Sequence, residues 1–173
     1  MNPNALPAGT HAYTVTDANG CPFTDYVTIT EPSALIVSVT TTNVSCFGMC
    51  NGSAFVIPSG GFPPYTYLWS NGNITDASTN LCPGTYTCTV TDANNCITPS
   101  TVIITEPTTL SISVDSTDET SALNDGSATA TILGGTSPYS YQWTNGGTTS
   151  AINNLPSGSY YVNVTDANGC VIS

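Results

Sequence analysis

Leu81-Cys82-Pro83-Gly84-Thr85-Tyr86-Thr87-Cys88-Thr89-Val90-Thr91-Asp92-Ala93-Asn94 reads as a turn, an alternating run and a second turn, and it recurs in variant form twice more in the chain. Leu6-Pro7-Ala8-Gly9 and Leu155-Pro156-Ser157-Gly158 open the other two versions. Each version ends on Thr-Asp-Ala-Asn, at Thr16, Thr91 and Thr165, followed by Cys21, Cys96 or Cys170. The offsets are 91 − 16 = 75 and 165 − 91 = 74 residues. A fixed period of this size means a tandem array. Side chains alternate along an extended run, so Tyr86, Cys88 and Val90 share one side and Thr87, Thr89 and Thr91 the other. The apolar side faces a core. Tyr160, Val162 and Val164 take the same places in the third version, and His11, Tyr13 and Val15 in the first.

The surroundings repeat as well. Thr30-Glu31-Pro32 returns at Thr105-Glu106-Pro107, and Asn51-Gly52-Ser53-Ala54 returns as Asp125-Gly126-Ser127-Ala128. Tyr65-Thr66-Tyr67-Leu68-Trp69-Ser70-Asn71-Gly72 becomes Tyr139-Ser140-Tyr141-Gln142-Trp143-Thr144-Asn145-Gly146. The 173 residues therefore divide into the C-terminal part of a first repeat (1–34), a complete repeat (35–109) and a third repeat lacking its last strand (110–173). Met1 opens in mid-repeat and reads as the start of a fragment, without the charged and apolar regions of a signal peptide.

In the complete repeat, strands are predicted at Leu35–Thr40, Ser53–Ile57, Tyr65–Trp69, Thr85–Thr91 and Thr101–Thr105, with a weaker one within Ile74–Thr79. Gly and Pro clusters, such as Ser59-Gly60-Gly61-Phe62-Pro63-Pro64 and Ser70-Asn71-Gly72, punctuate them. Nothing in the run has a helical period. The expected fold is all-β: small immunoglobulin-like β-sandwiches in an elongated tandem array. Trp69 and Trp143 are similar to the buried tryptophan of such sandwiches, and Tyr86 with Cys88 resembles their tyrosine corner. Glu31-Pro32 and Glu106-Pro107 leave short linkers, and proline keeps one strand from running into the next. A domain of about 75 residues buries little surface and calls for a staple such as a disulfide, a metal or a neighbour.

Composition excludes whole classes of partner. Lys and Arg number zero against eleven Asp plus Glu, for a net charge of −11. Phosphate neutralisation needs cations, so nucleic acid is not an expected partner. The polybasic signal for anionic lipid is missing too. No apolar window reaches the length of a membrane span. Seven cysteines amid Thr, Ser, Gly and Asn point to an oxidising, extracellular setting.

These motifs resemble the SprB-type repeats of giant surface adhesins from gliding Bacteroidetes. The likeness lies in Cys46 to Gly48, Asn51 to Ser53, Gly60 to Gly72 and Leu81 to Cys96, and again in Asp125 to Gly146 and Leu155 to Cys170. A looser likeness is to PKD-type domains. The resemblance implies export by a type IX secretion system from a Gram-negative cell, and surface filaments that serve adhesion and, in some species, gliding. Neither enzyme activity nor a cofactor is expected, calcium apart. Expected partners are neighbouring repeats of the same or identical chains, and a surface polysaccharide or abiotic surface. A self-assembling fibre subunit and, more remotely, a carbohydrate-binding module are the alternatives. The sequence departs from the pattern at Thr120, which stands where the second repeat has Cys46, and at the additional Cys50, Cys82 and Cys88.

The disulfide candidates are Cys46, Cys50, Cys82, Cys88, Cys96 and Cys170; six cysteines allow fifteen pairings. The resemblance, with one early and one late cysteine per repeat, implies Cys46–Cys96. That choice leaves Cys170 alone. Sandwich topology suggests otherwise, because the loops of Cys46 and Cys96 lie at opposite ends. Cys82 shares the end of Cys46 and Cys50, and that end faces the third repeat's Cys170. A bridge from Cys46 or Cys50 to Cys170 is thus a second expectation, and a zinc site of Cys46, Cys50, Cys82 and Cys88 a third.

Asp17, Asp92 and Asp166 are expected to stabilise turns by bonding their own backbone. Asp115, Asp118, Glu119 and Asp125 crowd the loop that corresponds to Cys46 and Cys50; a solvated acidic loop is the first reading, and calcium ligation by these four the alternative. His11 is the only histidine and replaces Tyr86 and Tyr160 at the edge of the core; no Gly-x-Ser-x-Gly elbow accompanies it. Exposed threonine faces and Tyr65, Tyr67, Tyr139 and Tyr141 could contact carbohydrate, but these tyrosines alternate with core positions and define no ligand site. The Asn-x-Ser/Thr matches at Asn43, Asn51, Asn73 and Asn163 are expected by chance in such a composition.

Overall fold

The computed structural model describes residues 6–121 and 123–173. The described residues form fourteen strands and no helix. In the second repeat, β3 (Ile36–Thr42), β4 (Gly52–Ser59) and β6 (Ala77–Leu81) make one antiparallel sheet in the order β3-β4-β6. The facing sheet consists of β5 (Thr66–Trp69), β7 (Gly84–Thr91) and β8 (Ile97–Ile104), in the order β5-β7-β8. Alternation sends Ala54 and Val56 inward from one sheet and Cys88, Val90, Val102 and Ile104 inward from the other, closing one core around Trp69.

Trp69 is 1% exposed and still satisfies its indole N–H, which donates to the Thr75 carbonyl at 2.9 Å. Tyr65 and Tyr67 are half-buried against the same core. The strand after the Trp turn falls at Ala77–Leu81, slightly later than its sequence pattern suggested, because Ser78 and Leu81 are the residues that turn inward. The last strand starts at Ile97 and not at Thr101. Pro99 lies within it, and the sheet tolerates this because β8 is an edge strand, where a missing N–H costs no ladder bond.

The third repeat follows the same plan with β9 (Ser111–Thr117), β10 (Gly126–Leu133), β11 (Ser140–Trp143), β12 (Ala151–Leu155) and β13 (Val162–Thr165), and the last strand expected to be missing is present as two residues, β14 (Val171–Ile172), against eight in β8. Its sheets run β12-β10-β9 and β11-β13-β14. Trp143 is 2% exposed and donates to the Thr149 carbonyl at 2.9 Å, matching Trp69. Of the first repeat, β1 (Gly9–Thr16) and β2 (Pro22–Ile29) form a two-stranded hairpin in continuous register, Gly9 opposite Ile29 and Thr16 opposite Pro22. The described part holds no second sheet over this hairpin, so Tyr13 and Val15, on the side that is core in the other repeats, are exposed. Residues 1–5 of that repeat lie outside the described ones.

Gly-Gly corners seat the linkers. Gly60 (φ +69°) and Gly134 (φ +72°) are left-handed, and a Cβ would fall 2.1 Å from the Ala34 carbonyl oxygen in one and 2.0 Å from that of Thr109 in the other. Next to them, the Gly61 amide donates to the Ser33 carbonyl at 2.7 Å and the Gly135 amide to the Thr108 carbonyl at 2.9 Å. Each linker is thereby docked on the repeat it leads into. A side chain at either corner glycine would meet both the wrong backbone region and a carbonyl in its way.

Candidate functional site

The Thr-Asp-Ala-Asn loop is built by one carboxylate. Asp92 Oδ1 accepts the amides of Asn94 (2.9 Å) and Cys96 (2.8 Å), and its Oδ2 accepts the amide of Phe62 from the β4–β5 loop (2.9 Å). Asp166 repeats the set with Asn168, Cys170 and Thr136, each at 2.9 Å. Asp17 accepts Asn19 and Cys21 at 2.8 Å in the hairpin. Burial alone would raise the pKa of Asp92 and Asp166, but the converging amides outweigh it and hold both below the ordinary carboxylate value. The recurring aspartate thus does turn chemistry, and the turn's product is a cysteine presented at a fixed place.

A second recurring device braces the strand before that loop. The Tyr86 hydroxyl donates to the Cys82 carbonyl at 3.0 Å and the Tyr160 hydroxyl to the Pro156 carbonyl at 2.9 Å. His11 Nε2 lies 2.8 Å from the Pro7 carbonyl, so it occupies the tyrosine's position and its hydrogen bond. Tyr65 and Tyr139 donate to Gly60 and Gly134 at 2.6 and 2.7 Å, so their hydroxyls are committed to the corner.

The late loop of the third repeat meets the early loop of the second. Cys46 is bonded to Cys170, with Cα atoms 5.8 Å apart, within the ordinary range for a bridge. Asn168 Nδ2 adds a hydrogen bond to the Ser45 carbonyl at 2.9 Å and another to Thr136 Oγ1 at 3.0 Å. From the linker, Glu106 accepts the Gly48 amide at 2.8 Å and fixes the early loop to the strand end below it. Phe47, Met49, Pro107, Leu110 and Val171 line a cleft of about 400 Å³ beside the bridge.

The second disulfide is Cys50–Cys82, inside the second repeat. The Cys46–Cys96 pairing suggested by resemblance does not form: Cys96 is an exposed free thiol at the far end of the sandwich. Four-cysteine zinc ligation does not form either. Cys46 and Cys50 are spent in bridges, while Cys88 is a free core thiol whose pKa burial pushes up.

In the acidic loop of the third repeat two of the four candidate carboxylates, Glu119 and Asp125, serve loop backbone. Glu119 accepts the Asn124 amide at 3.0 Å and the Ser157 amide at 2.7 Å, and Asp125 accepts the amide and hydroxyl of Thr120. Those bonds hold the pKa of both below the ordinary value. Asp115 sits on β9 opposite Thr129. Among the described residues, no group of three or more His, Cys, Asp or Glu side chains is placed to hold a metal. The oxygens of Glu119 and Asp125 are thus turned onto the loop's own backbone and the Thr120 hydroxyl. The role of Glu119 in joining two loops was missed, although the lack of cysteines where Cys50 and Cys82 stand was the available clue.

Fold and junction together define a tandem β-sandwich repeat protein whose neighbouring units are joined covalently. Residues 38–74 and 113–148 match the SprB repeat, so the chain carries two SprB-type repeats. The SprB repeat is a cell-surface adhesin repeat, and two disulfides fit an oxidising compartment. No curated protein matches the chain.

Proposed function

We propose that this region is a non-enzymatic, extracellular stalk segment of a bacterial surface adhesin, holding an attachment surface away from the cell. The observation that carries the reading is the junction: a disulfide, a direct hydrogen bond and a docked linker join consecutive repeats. A pull along such a chain passes through covalent bonds before it reaches the sandwich cores. A charge of −11 with no cation keeps parallel stalks apart and suits a spacer better than a sticky tip. In this reading the chain is displayed on a Gram-negative cell after type IX export, serves attachment to polysaccharide or abiotic surfaces, and in gliding species serves gliding.

Fab fragments raised against residues 35–173 provide the test. Labelling of intact source cells, together with reduced attachment to a surface, is the expected result; labelling only after permeabilisation contradicts it. A fibre subunit is the second reading. Its mechanism would be strand addition, an exposed strand of one copy pairing with a sheet edge of another. Spontaneous filaments in negative stain would favour the fibre, and monomers by size exclusion the stalk.

A further inference from the structure

We infer that the late loop of the second repeat is a second docking face, which receives the cysteine-bearing early loop of another SprB-type repeat placed before it and closes on it through Cys96. Two loops share one build, and one is occupied while the other is exposed. Asp92 and Asp166 hold their loops with the same three amides. The closing bonds match as well: Asp92 N to the Cys96 carbonyl at 3.0 Å and Asp166 N to the Cys170 carbonyl at 2.9 Å. Ala93 N donates to the Phe62 carbonyl and Ala167 N to the Thr136 carbonyl, both at 2.8 Å. The linker approaches each face over the same Gly-Gly corner. On the occupied face, Cys170 is bonded to Cys46 and Asn168 holds the Ser45 carbonyl. On the other face, Cys96 and Asn94 stand at the same two places, both exposed.

Chemistry inside the second repeat does not use this thiol. Cys46 and Cys50 are at the opposite end and paired elsewhere, and Cys88 is in the core. The partner is therefore specified by what Cys170 selects: an early loop with a serine carbonyl for the asparagine and a cysteine directly after it. Bond formation needs an oxidant, and a glutathione-type disulfide suffices. The Cys96 thiolate attacks one sulfur of oxidised glutathione and releases one glutathione thiolate. The partner thiolate then displaces the second glutathione. Two protein thiols lose two protons and two electrons, and the glutathione disulfide is reduced to two thiols. The inference does not depend on what the array attaches to.

The test places a second copy of residues 35–80 ahead of Leu6 in the full chain, which is the register of the repeat since Leu6 corresponds to Leu81. The added copy carries Cys50→Ser, because Pro7 stands where Cys50 would need Cys82. After oxidation in a glutathione buffer and digestion without reduction, the expected peptides join Cys96 to the added Cys46, alongside the native Cys46–Cys170 and Cys50–Cys82 bridges. Those two bridges certify the fold. A free Cys96, or Cys96 paired with any other residue while they persist, overturns the inference. If the extended chain loses them, the unextended chain decides, using a peptide of residues 42–52 with Cys50→Ser as the probe. Cys96 should capture it roughly fivefold better than a scrambled cysteine peptide, about what one additional hydrogen bond gives. Equal capture overturns the inference.

Discussion

The second and third repeats close the same gap between the same two loops, one with a disulfide and one with a carboxylate. In the second, Cys50 of the early loop is bonded to Cys82 of the Leu-Cys-Pro-Gly turn. In the third, Glu119 of the early loop reaches the Ser157 amide of the Leu-Pro-Ser-Gly turn at 2.7 Å and also bonds Asn124. Below these closures the cores are alike, Trp69 answering Trp143 and Val90 answering Val164. The difference teaches that the repeat requires its early loop to be pinned, and does not require a particular chemistry for it. A covalent pin is indifferent to pH and sensitive to reductant; the ionic pin has the opposite weaknesses.

That contrast can be broken experimentally, because each repeat carries a single tryptophan that reports on it. Trp69→Ala or Trp143→Ala should each cost about 3–5 kcal/mol in the affected repeat, since both rings are almost fully buried. Urea titrations of these two variants are followed by circular dichroism, since each substitution removes that repeat's own fluorophore; either repeat left unaffected would show that the cores are not equivalent. Next in size, Cys50→Ser with Cys82→Ser should destabilise the second repeat by about 3–4 kcal/mol, the chain-entropy value for a loop of this length. The third repeat, followed through Trp143 in a Trp69→Phe background, should not move.

Acid should invert the order. Asp92 and Asp166 have folded-state pKa values below their unfolded ones, and so do Glu119 and Asp125. The stability they contribute is present in full above about pH 5 and is lost as the pH falls through about 4 toward the folded values. The third repeat has the additional pair, so its fluorescence should change at a higher pH than that of the second. Coincident acid transitions would refute the ionic pin. Glu119→Gln should have the smallest effect: a lower melting temperature for the third repeat alone, and an acid transition moved toward that of the second.

Much of the architecture was legible because strand alternation and turn residues are local signals. Tyr86, Cys88 and Val90 declared their face, and the Trp-Ser-Asn-Gly turn declared its hairpin. The start of β8 was hidden by Pro99, which reads as a breaker unless the strand is known to be an edge. The use of the acidic loop was not legible because carboxylates close in sequence say nothing of where their oxygens point: those of Glu119 and Asp125 point at loop amides. Resemblance suggested Cys46–Cys96, whereas only the placement of loops at opposite ends of the sandwich separates those residues. The substitution of His11 for tyrosine was visible in the alignment of repeats, but its bond to Pro7 needed coordinates.

The central claim is the covalent junction between the second and third repeats, and mass mapping of the unreduced chain tests it most directly. Trypsin is of no use on a chain without Lys or Arg, but cyanogen bromide at Met49 separates Cys46 from Cys50, and cleavage before Asp92 separates Cys88 from Cys96. A peptide joining Cys46 to Cys170, with Cys96 alkylated as a free thiol, is the predicted result. Cys46 joined to Cys96, with Cys170 free, would contradict it.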